Sequence, residues 1–122
     1  MINKTILKSC YSEGFNEDES YGAYKIFFGT LFSESRLRII NLLRKHQKNV
    51  SELMKALKMD QTSVSHNLSR MKKCGFVLSE RKGKFVYYKI NETTVKPLMD
   101  LIDKHMGQFC IHILRCEKEG KK

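Results

Sequence analysis

The sequence predicts a mainly α-helical domain carrying one small β-hairpin, and three observations predict it. Two short amphipathic segments, joined by a tight turn, follow two longer ones. A run of β-forming residues then folds back on a glycine. The positive charge collects on the second short segment and the hairpin. Helix, turn, helix and basic hairpin, in that order, predict a winged helix-turn-helix of about five helices plus a two-stranded wing. A chain of 122 residues, 41% hydrophobic and 30% charged, is enough for one small core and too short for two.

Each element has its own signal. Residues 1–19 are polar, carry Gly14 and the acidic stretch Glu17 to Glu19, and read as a flexible N-terminal arm. The folded domain is expected over residues 20–118, with residues 119–122 a basic tail. From about Tyr21, the residues Tyr24, Phe27, Phe28, Leu31 and Phe32 recur at helical spacing. Ser33 caps a second helix striped by Leu37, Ile39, Ile40, Leu42 and Leu43, ending near His46. Asn49 and Glu52 have the spacing of a capping box for a short third helix buried through Val50, Leu53, Met54 and Leu57. Lys58 and Met59 make the turn.

Asp60 caps a fourth helix held down by Val64, Leu68 and Met71, and Gly75 closes it in the left-handed conformation. Phe76 to Leu78 and Phe85 to Ile90 flank a basic segment with Gly83 at its tip, the pattern of a hairpin. From about Thr94, with Pro97 tolerated in a first turn, Leu98, Leu101, Ile102, His105, Phe109, His112 and Cys116 mark one long final helix.

The formal charge is +10, which suits a polyanionic partner. From Gln61 to Asn91 there are seven cations against the single carboxylate of Glu80. More than half the net charge therefore lies in about a quarter of the chain. No apolar run approaches the roughly 18 residues of a membrane span, and the start lacks the apolar core of a secretory signal. A cytoplasmic protein with no membrane partner is expected. Cys10, Cys74, Cys110 and Cys116 contain no Cys-x-x-Cys pair and read as reduced thiols, with Cys74 a small core residue. Nothing resembles a phosphate loop, a nucleophile elbow or a His-Glu-x-x-His run, so an enzyme is not indicated.

The outward positions of the fourth helix are Gln61, Thr62, Ser63, Ser65, His66, Asn67, Ser69 and Arg70. Short hydrogen-bonding groups on the first turns suit base edges, and the later cation suits phosphate. The hairpin gathers Arg81, Lys82 and Lys84, as a wing along the backbone or in the minor groove requires. Double-stranded DNA is the partner this implies. A single recognition helix reads few base pairs, so a homodimer is expected, with the Phe- and Leu-rich first and last helices as its surface. A protein- or RNA-interaction module on the same scaffold is the competing reading.

Five segments carry a family resemblance: Phe32 to Leu43, Val50 to Leu53, Thr62 to Leu68, Gly75 to Val77, and Arg81 to Tyr88. Ser-Arg-Leu-Arg-Ile, Thr-Ser-Val-Ser-His and Gly-Lys-Phe-Val-Tyr-Tyr are their most specific pieces. Together, over roughly residues 30 to 91, the chain resembles the ArsR family of small metal-responsive repressors. The resemblance implies a winged-helix homodimer that sits on an operator and leaves it when an inducer binds. Asn67 departs from it, standing where the family often carries a histidine.

The resemblance also implies two sensor sites. One needs thiolates around the third helix, where this chain has Asn49, Val50, Ser51, Glu52 and Leu53, so that site is absent. The other has the pattern Asp-x-His, ten residues, His-x-x-Glu. Here Asp103 and His105 are followed, after ten residues, by Cys116 and Glu119, with Cys116 in place of a histidine. Two ligands from each chain would give zinc or another divalent ion a tetrahedral set. His105, Phe109, His112 and Cys116 are equally spaced as an ordinary dimer seam. Cys10, Cys110 and Cys116 form an alternative thiol sensor, binding a thiophilic ion or oxidising, and a regulator that senses no metal also stands.

Overall fold

The structure, a computed structural model, describes residues 16–120. Six helices and a three-stranded antiparallel sheet make up this part of the chain: α1 (Glu17–Leu31), α2 (Glu34–Lys45), β1 (Lys48–Asn49), α3 (Val50–Leu57), α4 (Gln61–Lys73), β2 (Val77–Lys82), β3 (Phe85–Ile90), α5 (Val95–Gln108) and α6 (Cys110–Gly120). The sheet order is β1-β3-β2. The architecture is the expected winged helix-turn-helix.

Local chemistry sets the boundaries. Ser33 accepts from the Arg36 backbone N–H to start α2, and Asp60 accepts from that of Ser63 at 2.7 Å to start α4. Asn49 and Glu52 close a reciprocal capping box at 2.9 Å in both directions at the start of α3. Lys58 ends α3 in the left-handed region, and Gly75 at φ +80° turns the chain out of α4.

Ile39, Ile40 and Leu43 of α2, Leu53 of α3, and Val64, Leu68 and Met71 of α4 form one buried cluster. Phe76, Val77, Ile90, Val95 and Met99 complete it. The helix-turn-helix is thus held on one side by α2 and on the other by the base of the wing. Each such side chain contributes about 1.5–3 kcal/mol of transfer free energy.

Several expectations need correction. The first helix starts at Glu17 rather than near Tyr21, because Asn16 and Glu19 form a second capping box. The acidic stretch is therefore its first turn, where carboxylates favour the positive end of the helix dipole. Only residues 16–19 of the anticipated arm are described. The rest of the arm, including Cys10, lies outside the described residues, as do residues 121 and 122 of the tail.

The sheet gains a third strand, since Lys48 and Asn49 pair with Tyr88 and Tyr87. Two residues are too few to carry an alternation signal. The expected long final helix is two helices. Phe109 caps α5 with φ −128° and ψ −68°, and its carbonyl then accepts from His112 and Ile113 to begin α6. Gly107 weakens the helix just before this break, while the apolar period runs on and conceals it. Thr94 supplies no cap; Asn91 holds the backbone N–H groups of Thr93 and Thr94 instead.

Candidate nucleic-acid interface

Three buried apolar side chains fix which way α4 faces. With Val64, Leu68 and Met71 in the core, Thr62, Ser63, Ser65, His66, Ser69 and Arg70 are exposed on the other faces, and Gln61 is exposed at the first position of the helix. The third helix packs behind them, so this polar face points away from the protein. Of the anticipated residues, Asn67 alone on this helix is half-buried.

Asn67 and Arg70 are engaged by a polar cluster that the sequence reading missed. Thr30 of α1 is fully buried. Its hydroxyl donates to the Ile26 carbonyl at 2.8 Å, accepts from Arg70 Nε at 3.3 Å and lies 3.4 Å from Cys74 Sγ. Arg36 of α2 spans the same junction. Its Nε donates to the Thr30 carbonyl at 2.6 Å, Nη2 to the Gly29 carbonyl and Nη1 to Asn67 Oδ1, both at 3.2 Å. A guanidinium fork thus satisfies the open carbonyl end of α1 and holds α4 by an amide. The available signal was register: Arg36 stands three, four and seven residues before the buried Ile39, Ile40 and Leu43, on the stripe that faces the protein. Cys74 is half-buried and packs against the core.

The wing projects beside α4. Gly83 takes φ +64° and Lys84 keeps a negative φ, the arrangement of a type II′ turn. Arg81 and Lys82 lie on opposite faces of the hairpin, opposite Val86 and Phe85 respectively. Arg81 Nε bends toward the Gly83 carbonyl at 3.4 Å, Lys82 Nζ lies 3.8 Å from Glu80 and 5.7 Å from the centre of the Tyr87 ring, and Lys84 is exposed at the tip.

The C-terminal donor residues are arranged differently from the expectation. Asp103 Oδ2 is held by Arg44 Nη2 at 2.8 Å, and the same nitrogen bonds Asp100 Oδ1 at 2.7 Å. The hydrogen bond to Asp103 is the leading cause that raises the Arg44 pKa above its ordinary value, against desolvation and with help from Asp100. The His105 ring packs on Phe109 at 4.8 Å. Cys116 and Glu119 are exposed on α6, across the break from His105. Among the described residues no three His, Cys, Asp or Glu side chains of one chain converge on a point that could hold a metal ion. Cys110 and Cys116 are exposed free thiols on one intact helix, about 120° apart around it.

A three-helix core with its second short helix presented outward and a hairpin beside it defines a winged helix-turn-helix domain. The profile of bacterial regulatory proteins of the arsR family matches residues 33–79. The chain is 37% identical over 76 residues to the transcriptional repressor PagR of Bacillus anthracis, covering 61% of this chain and 75% of PagR. It is 36% identical over 70 residues to the HTH-type transcriptional regulator NmtR of Mycobacterium tuberculosis, covering 57% of this chain and 58% of NmtR. A homodimeric winged helix-turn-helix DNA-binding domain from Mycobacterium bovis superposes with a TM-score of 0.72 at 26% identity, over 81% of this chain and 94% of that one. The chain belongs to the ArsR family of bacterial transcriptional regulators, a family of regulators rather than enzymes. Among the described residues, no helix is long and apolar enough to cross a membrane.

Proposed function

We propose that the chain is a sequence-specific repressor that binds duplex DNA as a homodimer in the cytoplasm. The observation that carries this reading is the exposed polar face of α4 set beside a basic wing. Gln61, Thr62, Ser63, Ser65 and His66 meet base edges in the major groove, and Arg70 meets phosphate. Asn67 contributes by holding α4 through Arg36 rather than by reaching a base. Arg81, Lys82 and Lys84 carry the backbone contacts of the wing.

Exposed apolar surface supports the dimer. Phe28 is 60% and Phe32 92% exposed on or just after α1, and Leu101, Phe109, Ile113 and Leu114 are exposed on or between α5 and α6. A second copy that covers these helices removes the surface from water and sets two recognition helices on one operator.

A titration of a duplex selected from a random pool, against a scrambled duplex, tests the reading across a range of salt. Preference for the selected duplex by about 10³ or more, with a steep salt slope, is expected. Equal affinity for both would favour the protein- or RNA-interaction module.

Release by a metal rests on the retained spacing of Asp103, His105, Cys116 and Glu119, whose donor chemistry suits zinc. One chain does not assemble this set, so a second copy must supply half of it and the ion must displace Arg44 from Asp103. Zinc stoichiometry of the reduced dimer tests it. Loss of zinc in His105→Ala and Cys116→Ser supports the site, and unchanged stoichiometry removes it, leaving the thiols of Cys10, Cys110 and Cys116 to bind a thiophilic ion or oxidise, or a regulator without an inducer.

A further inference from the structure

The wing carries an aromatic feature that its cations do not explain. Residues opposite one another in a ladder share a face and alternate along each strand. The closing pair is Lys82 and Phe85, so Leu78, Glu80, Lys82, Phe85, Tyr87 and Lys89 occupy one face. The other face begins at Val77 and Ile90, both buried in the core, which leaves this one for solvent.

A solvent face needs polar residues, yet Phe85 is 51% and Leu78 47% exposed. The Phe85 ring is held near-perpendicular to Tyr87, at 6.4 Å and 63°. Lys82 leans back toward Tyr87 and Glu80. Phe85 is therefore half-exposed next to the tip, backed by Tyr87, with exposed Lys84 preceding it in the turn.

An apolar ring on a hairpin tip that also carries exposed cations is complementary to a surface with anionic ridges and an apolar floor. The minor groove of duplex DNA is such a surface, with phosphates on its rims and sugars and base edges between. We infer that Phe85 enters the minor groove as an apolar wedge while the exposed cations of the wing, Lys84 foremost, hold the phosphates of its rims. This inference rests on the duplex-binding reading above. A wedge unstacks a base step most easily at TA and CA/TG, so Phe85 gives the wing a sequence preference that phosphate contacts cannot give.

The chain contains no tryptophan, so Phe85→Trp places one selectively excitable indole at the tip of each chain. With a duplex selected by the wild-type chain, its emission should be quenched on binding. Phe85→Ala should lower affinity about tenfold with the salt slope unchanged, because no phosphate contact is lost. Phe85→Leu should retain most of the affinity, and Lys84→Ala should reduce the slope by about two, one for each wing of the dimer. Unquenched tryptophan together with wild-type affinity in Phe85→Ala would overturn the inference and assign this face to a protein partner. Failure of the wild-type chain to bind any duplex would instead sink the underlying reading, and the wedge with it.

Discussion

Arg36 ties α4 to the end of α1 and so adds to the hold that Val64, Leu68 and Met71 have on its outward polar face. Its three donors hold two carbonyls at the end of α1 and the amide of Asn67, and charged hydrogen bonds of this kind are each worth about 1.5–3 kcal/mol. Arg36→Ala should therefore destabilise the fold by about 3 kcal/mol in urea titrations. Asn67→Ala, which removes one bond and leaves the carbonyl contacts, should cost about 1 kcal/mol. Equal losses in the two variants would show that the fork acts through Asn67 alone. Asn49 makes a separate residue-scale test. Asn49→Ala opens the capping box of α3 and should cost about 1 kcal/mol, read as a lower denaturation midpoint at constant slope.

At the scale of elements, the clearest signals were apolar stripes that face the protein's own core. Ile39, Ile40 and Leu43, and then Val64, Leu68 and Met71, fixed α2 and α4, and their caps fixed the starts. Stripes on α1, α5 and α6 were legible as helices but not as to what they cover. In α1 the buried positions are Ser20 and Thr30, while Tyr24 and Phe28 face outward. A side chain's partners across space, such as Thr30 with Arg70 or Arg44 with Asp103, leave no spacing in one sequence. The break at Phe109 was invisible because hydrophobic period does not register a local change of φ and ψ. The polar face of α4 and the basic wing were readable in the chain, while the immobilisation of Asn67 was not. The latch from α2 to α5 is itself testable. Arg44→Gln frees Asp100 and Asp103, and because both carboxylates are largely exposed the cost in stability should stay below about 1 kcal/mol. If Asp103 is a metal ligand, the same variant should bind zinc more tightly by competition titration, and unchanged affinity would show that Asp103 takes no part.

For the whole molecule, the proposed dimer joins fold to function through the distance between its two α4 helices. The apolar faces of α1 and α6 must be covered for that distance to be fixed, so Phe28→Asp and Ile113→Asp should shift the chain toward monomer in sedimentation equilibrium. Both should weaken operator binding in parallel, since one reading helix cannot supply the contacts of two. A chain that stays monomeric in its wild-type form would remove this coupling. Methylation interference on a selected duplex asks whether α4 lies in the major groove, because guanine N7 is exposed there. Two twofold-related patches of interference about 10 base pairs apart are expected, and binding indifferent to N7 methylation throughout the site would show that α4 does not read that groove.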